Sequence, residues 1–236
     1  MNIVLLTTQT THHLYFAREL NKSYKINAIA IEKSAIKPPF EVDHKFEIKR
    51  NSYESDFLLE TGDTFEKICP TKSFTNINSP NSLNFISEKE PDIIIVFGTG
   101  IIKKELINLC PRGIINLHGG DPEYYRGLDS HLWAIYHKEF DQLVTTLHRL
   151  NPKLDDGEII KKLSIKIVKE FDIIRLRAEN TKICIKLVIS AVKDYQKSGK
   201  FISYPQKQKG RYYSFMPSCL KNVCVKNFQS YVESLW

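Results

Sequence analysis

The chain has 236 residues, with 34 Lys+Arg against 27 Asp+Glu, a net charge of +7, 42% apolar residues and 26% charged residues. This is ordinary globular composition, which excludes wholesale disorder, and the length suits one large domain or one domain with a small appendage. No window reaches the roughly 18 consecutive apolar residues of a membrane span, and the start Met-Asn-Ile-Val-Leu-Leu has no basic region or long apolar core of a signal peptide. A cytoplasmic protein without membrane contact is expected.

Residues 2–6 (NIVLL) form a continuous apolar run of the kind that makes a buried parallel strand. The polar turn Thr7–Thr11 leads to an amphipathic helix around Leu14–Leu20, and a second apolar run follows at Ile26–Ile31. Strand, helix and strand within about 30 residues make a βαβ unit, the start of a doubly wound sheet. Helical character is expected over Phe57–Cys69 and a Ser/Thr/Asn/Pro-rich loop over Thr71–Ser82.

Ile93–Phe97 is the most strand-like segment and is ended by Gly98-Thr99-Gly100. A short helix near Lys104–Leu109 precedes another buried strand, Gly113–His118. Trp133–Phe140 reads as helix, Val144–Leu150 and Leu163–Val168 as strands, and a long helix begins near Asp172, with an apolar face from Ile173 to Tyr195. Phe201–Tyr204 and Arg211–Phe215 flank a Pro-Gln-Lys-Gln-Lys-Gly loop and are expected to pair as a hairpin.

Residues 195–236 hold seven basic residues against Glu233 alone, a net +6, which leaves +1 for the first 194. A neutral body with a basic tail disfavours a protein that coats nucleic acid. The cysteines Cys69, Cys110, Cys184, Cys219 and Cys224 are odd in number and mostly far apart, so five reduced thiols are expected rather than a disulfide framework. No convincing set of metal ligands is present.

Three features meet where parallel strands end, the usual site position in an open α/β sheet. Asn116 and His118 alternate with Leu117, so both side chains project to one face, and Gly119-Gly120 then allow close approach. An amide beside an imidazole can stabilise a developing oxyanion, and the imidazole can move a proton. The loop Tyr124-Tyr125-Arg126-Gly127 supplies a candidate anion clamp in Arg126. The turn Leu154-Asp155-Asp156-Gly157 supplies a carboxylate that could orient His118. Taken singly, each has an ordinary explanation in turn chemistry or core packing.

Together, GTGIIKKELINLCPRGIINLHGGDPEYYRG and TTLHRLNPKLDDGEII resemble the folate-dependent formyltransferases over roughly residues 92–160. The run from His118 to Ala134 looks most like the sugar N-formyltransferases. The resemblance implies a Rossmann-like α/β fold, a doubly wound and mostly parallel sheet over residues 1–169. A C-terminal long helix and β-hairpin over 170–236 would make the subunit contact of a homodimer. It implies Asn116, His118 and Asp155 as the catalytic set, with Asp156 an open alternative to Asp155. 10-Formyltetrahydrofolate would be the formyl donor, held largely by backbone contacts from Gly98, Gly100, Ile101 and Ile102 and from the loop of Asn151 and Leu154.

The implied acceptor is the primary amine of a nucleotide-linked sugar, best a dTDP-4-amino-4,6-dideoxyhexose such as dTDP-4-amino-4,6-dideoxyglucose. Thr10 and His12 of the first turn and Arg126 would meet its phosphates, while Tyr124 or Tyr125 would pack on sugar or base. Two alternatives stay open: another amine, on a UDP-linked sugar or glycinamide ribonucleotide, and a non-catalytic nucleic-acid-binding protein on the same fold. No metal is required.

Overall fold

The apolar runs are buried on both sides because successive strand residues face opposite helical layers. The computed structural model describes residues 1–33 and 38–235. In chain order it contains β1 (Ile3–Thr8), α1 (Thr11–Ser23), β2 (Ile26–Glu32), α2 (Lys45–Leu58), β3 (Thr71–Phe74) and α3 (Pro80–Ser87). There follow β4 (Ile93–Phe97), α4 (Lys104–Ile107), β5 (Ile114–His118), β6 (Tyr125–Gly127), α5 (Ser130–Tyr136), β7 (Val144–Arg149), β8 (Ile159–Ser164), α6 (Leu176–Ser198), β9 (Arg211–Tyr213) and α7 (Ser218–Ser234).

Seven strands form one sheet in the order β3-β2-β1-β4-β5-β7-β8. The first five are parallel, β7 runs antiparallel to β5, and β8 runs antiparallel to β7. The mostly parallel α/β sheet is therefore as the sequence implies.

Ile3, Leu5, Ile29, Ile95 and Leu117 pack under α1 and α6, against Phe16, Leu20, Leu187 and Val188. Val4, Leu6, Ala30, Ile94 and Val96 pack on the other side, against Ile86, Leu106 and Ile107 of α3 and α4. All of these side chains are below one-tenth exposed, and each one larger than Ala30 contributes roughly 1.5–3 kcal/mol of transfer free energy. Chain order reverses between β1 and β4, so a crevice opens at their carboxyl ends, where ligands of open α/β sheets bind.

Several boundaries differ from the expected ones. The helix placed at Phe57–Cys69 lies earlier, at Lys45–Leu58, and ends where Leu59 turns extended; beyond Gly62 at φ +84° and the Asp63–Glu60 turn, only a short 3-10 turn at Phe65–Lys67 is helical within the expected span. The expected loop at Thr71–Ser82 holds edge strand β3 and the start of α3, whose Ser79 caps the Ser82 N–H with Pro80 at the first turn. The strand expected at Leu163–Val168 begins at Ile159, where Ile159 and Ile160 are buried, and Leu163 is exposed. Asp172 does start the long helical segment, its side chain accepting from the Ile174 N–H.

The hairpin is not formed. Tyr204 bridges Ile159 of β8, and β9 pairs in parallel with β6. Both partners lie in the body, and their unpaired strand edges outcompete a local pairing. The last residues instead form α7, which the expected ending omitted. Its Cys224, Phe228 and Val232 recur every four residues and pack with Leu132 and Ile135 of α5. All five cysteines are free. Among the described residues, no helix is long and apolar enough to cross a membrane.

Candidate active site

Asn116 and His118 end β5 on one face of the sheet, as strand alternation requires. Asp155 reaches them from the loop between β7 and β8. It sits at φ +47°, a left-handed conformation that Asp and Asn tolerate better than most residues. Its Oδ2 accepts from the Gly127 N–H at 2.8 Å and lies 3.6 Å from His118 Nδ1, while its Oδ1 lies 3.6 Å from His148 Nε2. Burial pushes the Asp155 carboxyl up, but the neighbouring His118, with the Gly127 amide, outweighs it and holds the group well below the carboxylate range. Asp155 is therefore a buried carboxylate at neutral pH.

Geometry distinguishes the two adjacent aspartates. Asp156 turns away and pairs with Arg126 Nη1 at 2.9 Å.

His118 Nε2 is 2.8 Å from the Tyr125 carbonyl oxygen, which can only accept, so the proton of the neutral ring sits on Nε2. The lone pair is then on Nδ1, and a proton arriving there is met by Asp155. His148 fixes Asn116 by the same logic. Its Nδ1 donates to the Arg149 carbonyl at 2.8 Å, so Nε2 accepts from Asn116 Nδ2 at 3.1 Å. The Asn116 amide is thereby oriented with its second N–H available to a ligand. The sequence reading leaves His148 inside the Val144–Leu150 strand without a role of its own; that role emerges from the β5–β7 register, which sets Asn116 opposite His148.

A cleft of about 220 Å³ opens on these groups. It is lined by all six residues expected to hold the donor, Gly98, Gly100, Ile101, Ile102, Asn151 and Leu154, together with Asn116, His118 and Asp155. Two side chains that sequence reasoning missed hold the first of its loops. The buried Glu32 accepts from the Gly100 N–H at 2.7 Å and from the Ile77 N–H at 3.0 Å. Asn78 donates to the Ile101 carbonyl at 2.9 Å and accepts from the Lys103 N–H at 2.7 Å. Exposed Tyr212, from β9, also lines the cleft, lying over Gly127. Gly127 is required here. It has φ +91°, and a Cβ would stand 2.1 Å from the Tyr213 carbonyl oxygen.

The residues expected to bind the acceptor are not brought together. Arg126 is 4% exposed and already engaged. Its Nε donates to the Pro122 carbonyl, its Nη1 to Asp156 and its Nη2 to Gln206, whose own amide holds the carbonyls of Asp155 and Gly157. It fastens the Asp155 turn, and its committed donors leave it unsuited to clamp a diphosphate. Tyr125 is buried, stacked on Tyr213, with its hydroxyl on Glu139, and Tyr124 is half-exposed at the edge of the β6–β9 pair.

Thr10 and His12 lie at the start of α1, outside the lining of that cleft. Thr10 is exposed and lines a second, larger cleft, whereas His12 is buried beside His13 and Glu54. Burial and the neighbouring His13 push the His12 pKa well below its ordinary value, and burial takes His13 to about 3. Neither is a cation at neutral pH. Among the described residues no group of three or more His, Cys, Asp or Glu could hold a metal ion.

A buried carboxylate, a histidine with one open nitrogen and an oriented amide at the mouth of an apolar cleft suit attack on a carbonyl carbon with proton transfer. The family model of the formyl transferases matches residues 3–192. A sugar N-formyltransferase from Shewanella sp. is 14% identical with a TM-score of 0.62, covering 96% of this chain and 87% of that one. A 4-N formyltransferase from Francisella tularensis is 15% identical with a TM-score of 0.59, covering 94% and 86%. The formyltransferase PseJ from Anoxybacillus kamchatkensis, solved with UDP-4,6-dideoxy-4-formamido-L-AltNAc and tetrahydrofolate, is 17% identical with a TM-score of 0.55, covering 99% and 90%. At these identities the likeness to solved structures is one of fold. The family match takes in every strand of the seven-stranded sheet and all three residues of the Asn116–His118–Asp155 set, and the chain belongs to the formyl transferase family.

Proposed function

We propose that the protein is a sugar N-formyltransferase, moving the formyl group of 10-formyltetrahydrofolate to the primary amine of a nucleotide-linked amino sugar. The observation that carries this reading is the meeting of Asn116, His118 and Asp155 at one end of the cleft lined by Gly98–Ile102 and Asn151–Leu154. Backbone N–H and C=O edges with Ile102, Leu117 and Leu150 as walls suit a flat, polar-edged pteridine. The Shewanella and Francisella proteins carry sugar and 4-N formyltransferase names, and PseJ was solved with a formylated UDP-sugar. These support a 4-amino sugar as acceptor; a dTDP-4-amino-4,6-dideoxyhexose, with dTDP-4-amino-4,6-dideoxyglucose first, is our preferred choice and the UDP-linked sugar the second.

The chemistry follows from the positions. As the amine nitrogen bonds to the formyl carbon, Asn116 donates to the oxygen that gains charge. His118 Nδ1 takes the amine proton, and Asp155 balances the imidazolium. The carbon–nitrogen bond to the donor then breaks as His118 returns the proton to the departing nitrogen, giving a formamide and tetrahydrofolate. Removing one such oxyanion donor costs roughly 2.7–4 kcal/mol of barrier.

We take the enzyme to act in the cytoplasm as a homodimer joined through residues 170–236, where Ile202 and Val223 remain exposed. The test is incubation with 10-formyltetrahydrofolate and a panel of dTDP- and UDP-linked 3-amino and 4-amino sugars, read as product mass. A one-formyl gain on a 4-amino sugar is expected. Turnover of glycinamide ribonucleotide with no gain on any sugar would reject the reading.

Glu32 offers a separate check on the donor cleft. Glu32→Gln keeps the shape but can accept from only one of the Gly100 and Ile77 N–H groups. Loss of one charge-assisted bond, about 1.5 kcal/mol, predicts roughly tenfold weaker tetrahydrofolate binding by fluorescence titration. The turnover number at saturating donor should change little.

A further inference from the structure

The sequence assigned the acceptor's phosphates to Arg126 and His12, and both are unsuited: one is spent on the Asp155 turn and the other is buried and neutral. Two other arginines, on elements distant in sequence, face each other at the open end of the sheet. Arg177, in the first turn of α6, is held by the fully buried Glu54 of α2, with Nε to Oε1 at 2.7 Å and Nη2 to Oε2 at 2.5 Å. Arg50, also on α2, reaches Glu47 at 3.2 Å through Nη1. Burial and the nearby Arg177 charge push the Arg50 pKa below its ordinary value, a repulsion that a bound anion would relieve.

These arginines line two adjoining clefts. One, of about 180 Å³, is bounded by α2, α5 and α6 and includes Gly119, the residue after His118. The other, of about 530 Å³, extends to Gln9–Thr11 at the β1–α1 turn. The smaller cleft contains two buried polar atoms without a hydrogen-bond partner among the described residues, Arg50 Nε and the hydroxyl of Ser130, a residue 4% exposed. Buried donors left unmatched cost about 1–3 kcal/mol each, so their concentration in one cleft beside the catalytic strand points to a ligand that satisfies them. The acid that also lines this cleft, Asp129, is turned to the Met216 N–H at 2.8 Å, and Glu54 is committed to Arg177.

We propose that Arg50 and Arg177, with the Ser130 hydroxyl, seat the diphosphate of the acceptor. The sugar amine then reaches His118 from the Gly119 side, and the nucleoside extends into the larger cleft toward Thr10. Donor and acceptor thereby approach His118 through separate openings. A planar guanidinium pair suits a diphosphate, which offers oxygens to both at once. The assignment rests on the nucleotide-linked acceptor proposed above.

The test is calorimetric titration of the full-length protein with inorganic pyrophosphate, dTDP and UDP, comparing wild type, Arg50→Gln, Ser130→Ala and the exposed-charge control Lys166→Gln. Tetrahydrofolate binding reports whether each variant is folded. Arg50→Gln is expected to weaken pyrophosphate and the better-bound nucleotide at least tenfold and Ser130→Ala about fivefold, while Lys166→Gln and all tetrahydrofolate affinities stay within twofold. If Arg50→Gln also loses tetrahydrofolate, Ser130→Ala decides.

Equal pyrophosphate and nucleotide affinities in wild type and the site variants overturn this seat and leave a nucleotide-linked acceptor intact. Arginine-dependent pyrophosphate binding with no gain from a nucleoside keeps the seat and rejects the nucleotide. Absence of all three interactions in wild type overturns both.

Discussion

His118→Asn is expected to lower formyl transfer by roughly 10²–10⁴-fold while leaving the protein folded. The size follows from the work assigned to the ring. Loss of a positioned proton acceptor alone removes that factor, about 3–5 kcal/mol at 1.36 kcal/mol per decade. Asparagine has no lone-pair nitrogen to replace Nδ1, although its amide can still donate to the Tyr125 carbonyl that His118 Nε2 now meets. Initial rates at saturating donor and acceptor, with the melting temperature as control, check this. A rate within tenfold of wild type would remove His118 from the chemistry.

Asp155→Asn is expected to cost on the order of 10³–10⁴ in rate, by analogy with carboxylates that hold a catalytic imidazole elsewhere. Asparagine tolerates the φ of +47° and its carbonyl can still accept from the Gly127 N–H, so the loss isolates the charge. The change has a second, pH-dependent signature. The folded-state pKa of Asp155 lies below its unfolded value of about 3.9, so the carboxylate contributes stability that is fully present above that value. That contribution is lost as pH falls through the folded pKa. The wild-type advantage over Asp155→Asn in denaturant midpoint should therefore be constant from neutral pH down to mildly acidic pH and shrink below the unfolded value. An advantage that grew as pH fell would contradict the assigned ionisation.

The parts of this site legible in the sequence are those set by local rules. Asn116 and His118 share a face because a strand alternates, and the glycines ending β4 and β5 mark close approach of a ligand or chain. Asp155 was legible as a turn carboxylate, but its separation from Asp156 depended on Arg126. A loop arginine reads as free until the chain folds and Pro122, Asp156 and Gln206 take its donors. Glu32 reads as the polar end of a strand; only the return of the Gly98–Gly100 segment gives it a task.

The C-terminal errors have the same origin. Arg211–Tyr213 has strand character, but its partner is β6 far back in the chain, and local pattern carries no information on which edge a strand will choose. The four-residue recurrence of Cys224, Phe228 and Val232 was a usable signal for α7. The Arg50–Arg177 pair was beyond reach, since it joins two helices whose packing against α1 is a tertiary outcome.

Where transfer occurs is tested most directly by a crystal structure of the protein with tetrahydrofolate and a dTDP- or UDP-linked 4-amino sugar. The expected result places the pteridine between the Gly98–Ile102 and Asn151–Leu154 segments, with N10 and the sugar amine both beside Asn116 and His118. A pteridine bound in the Arg50–Arg177 clefts, or an amine remote from His118, would contradict the account.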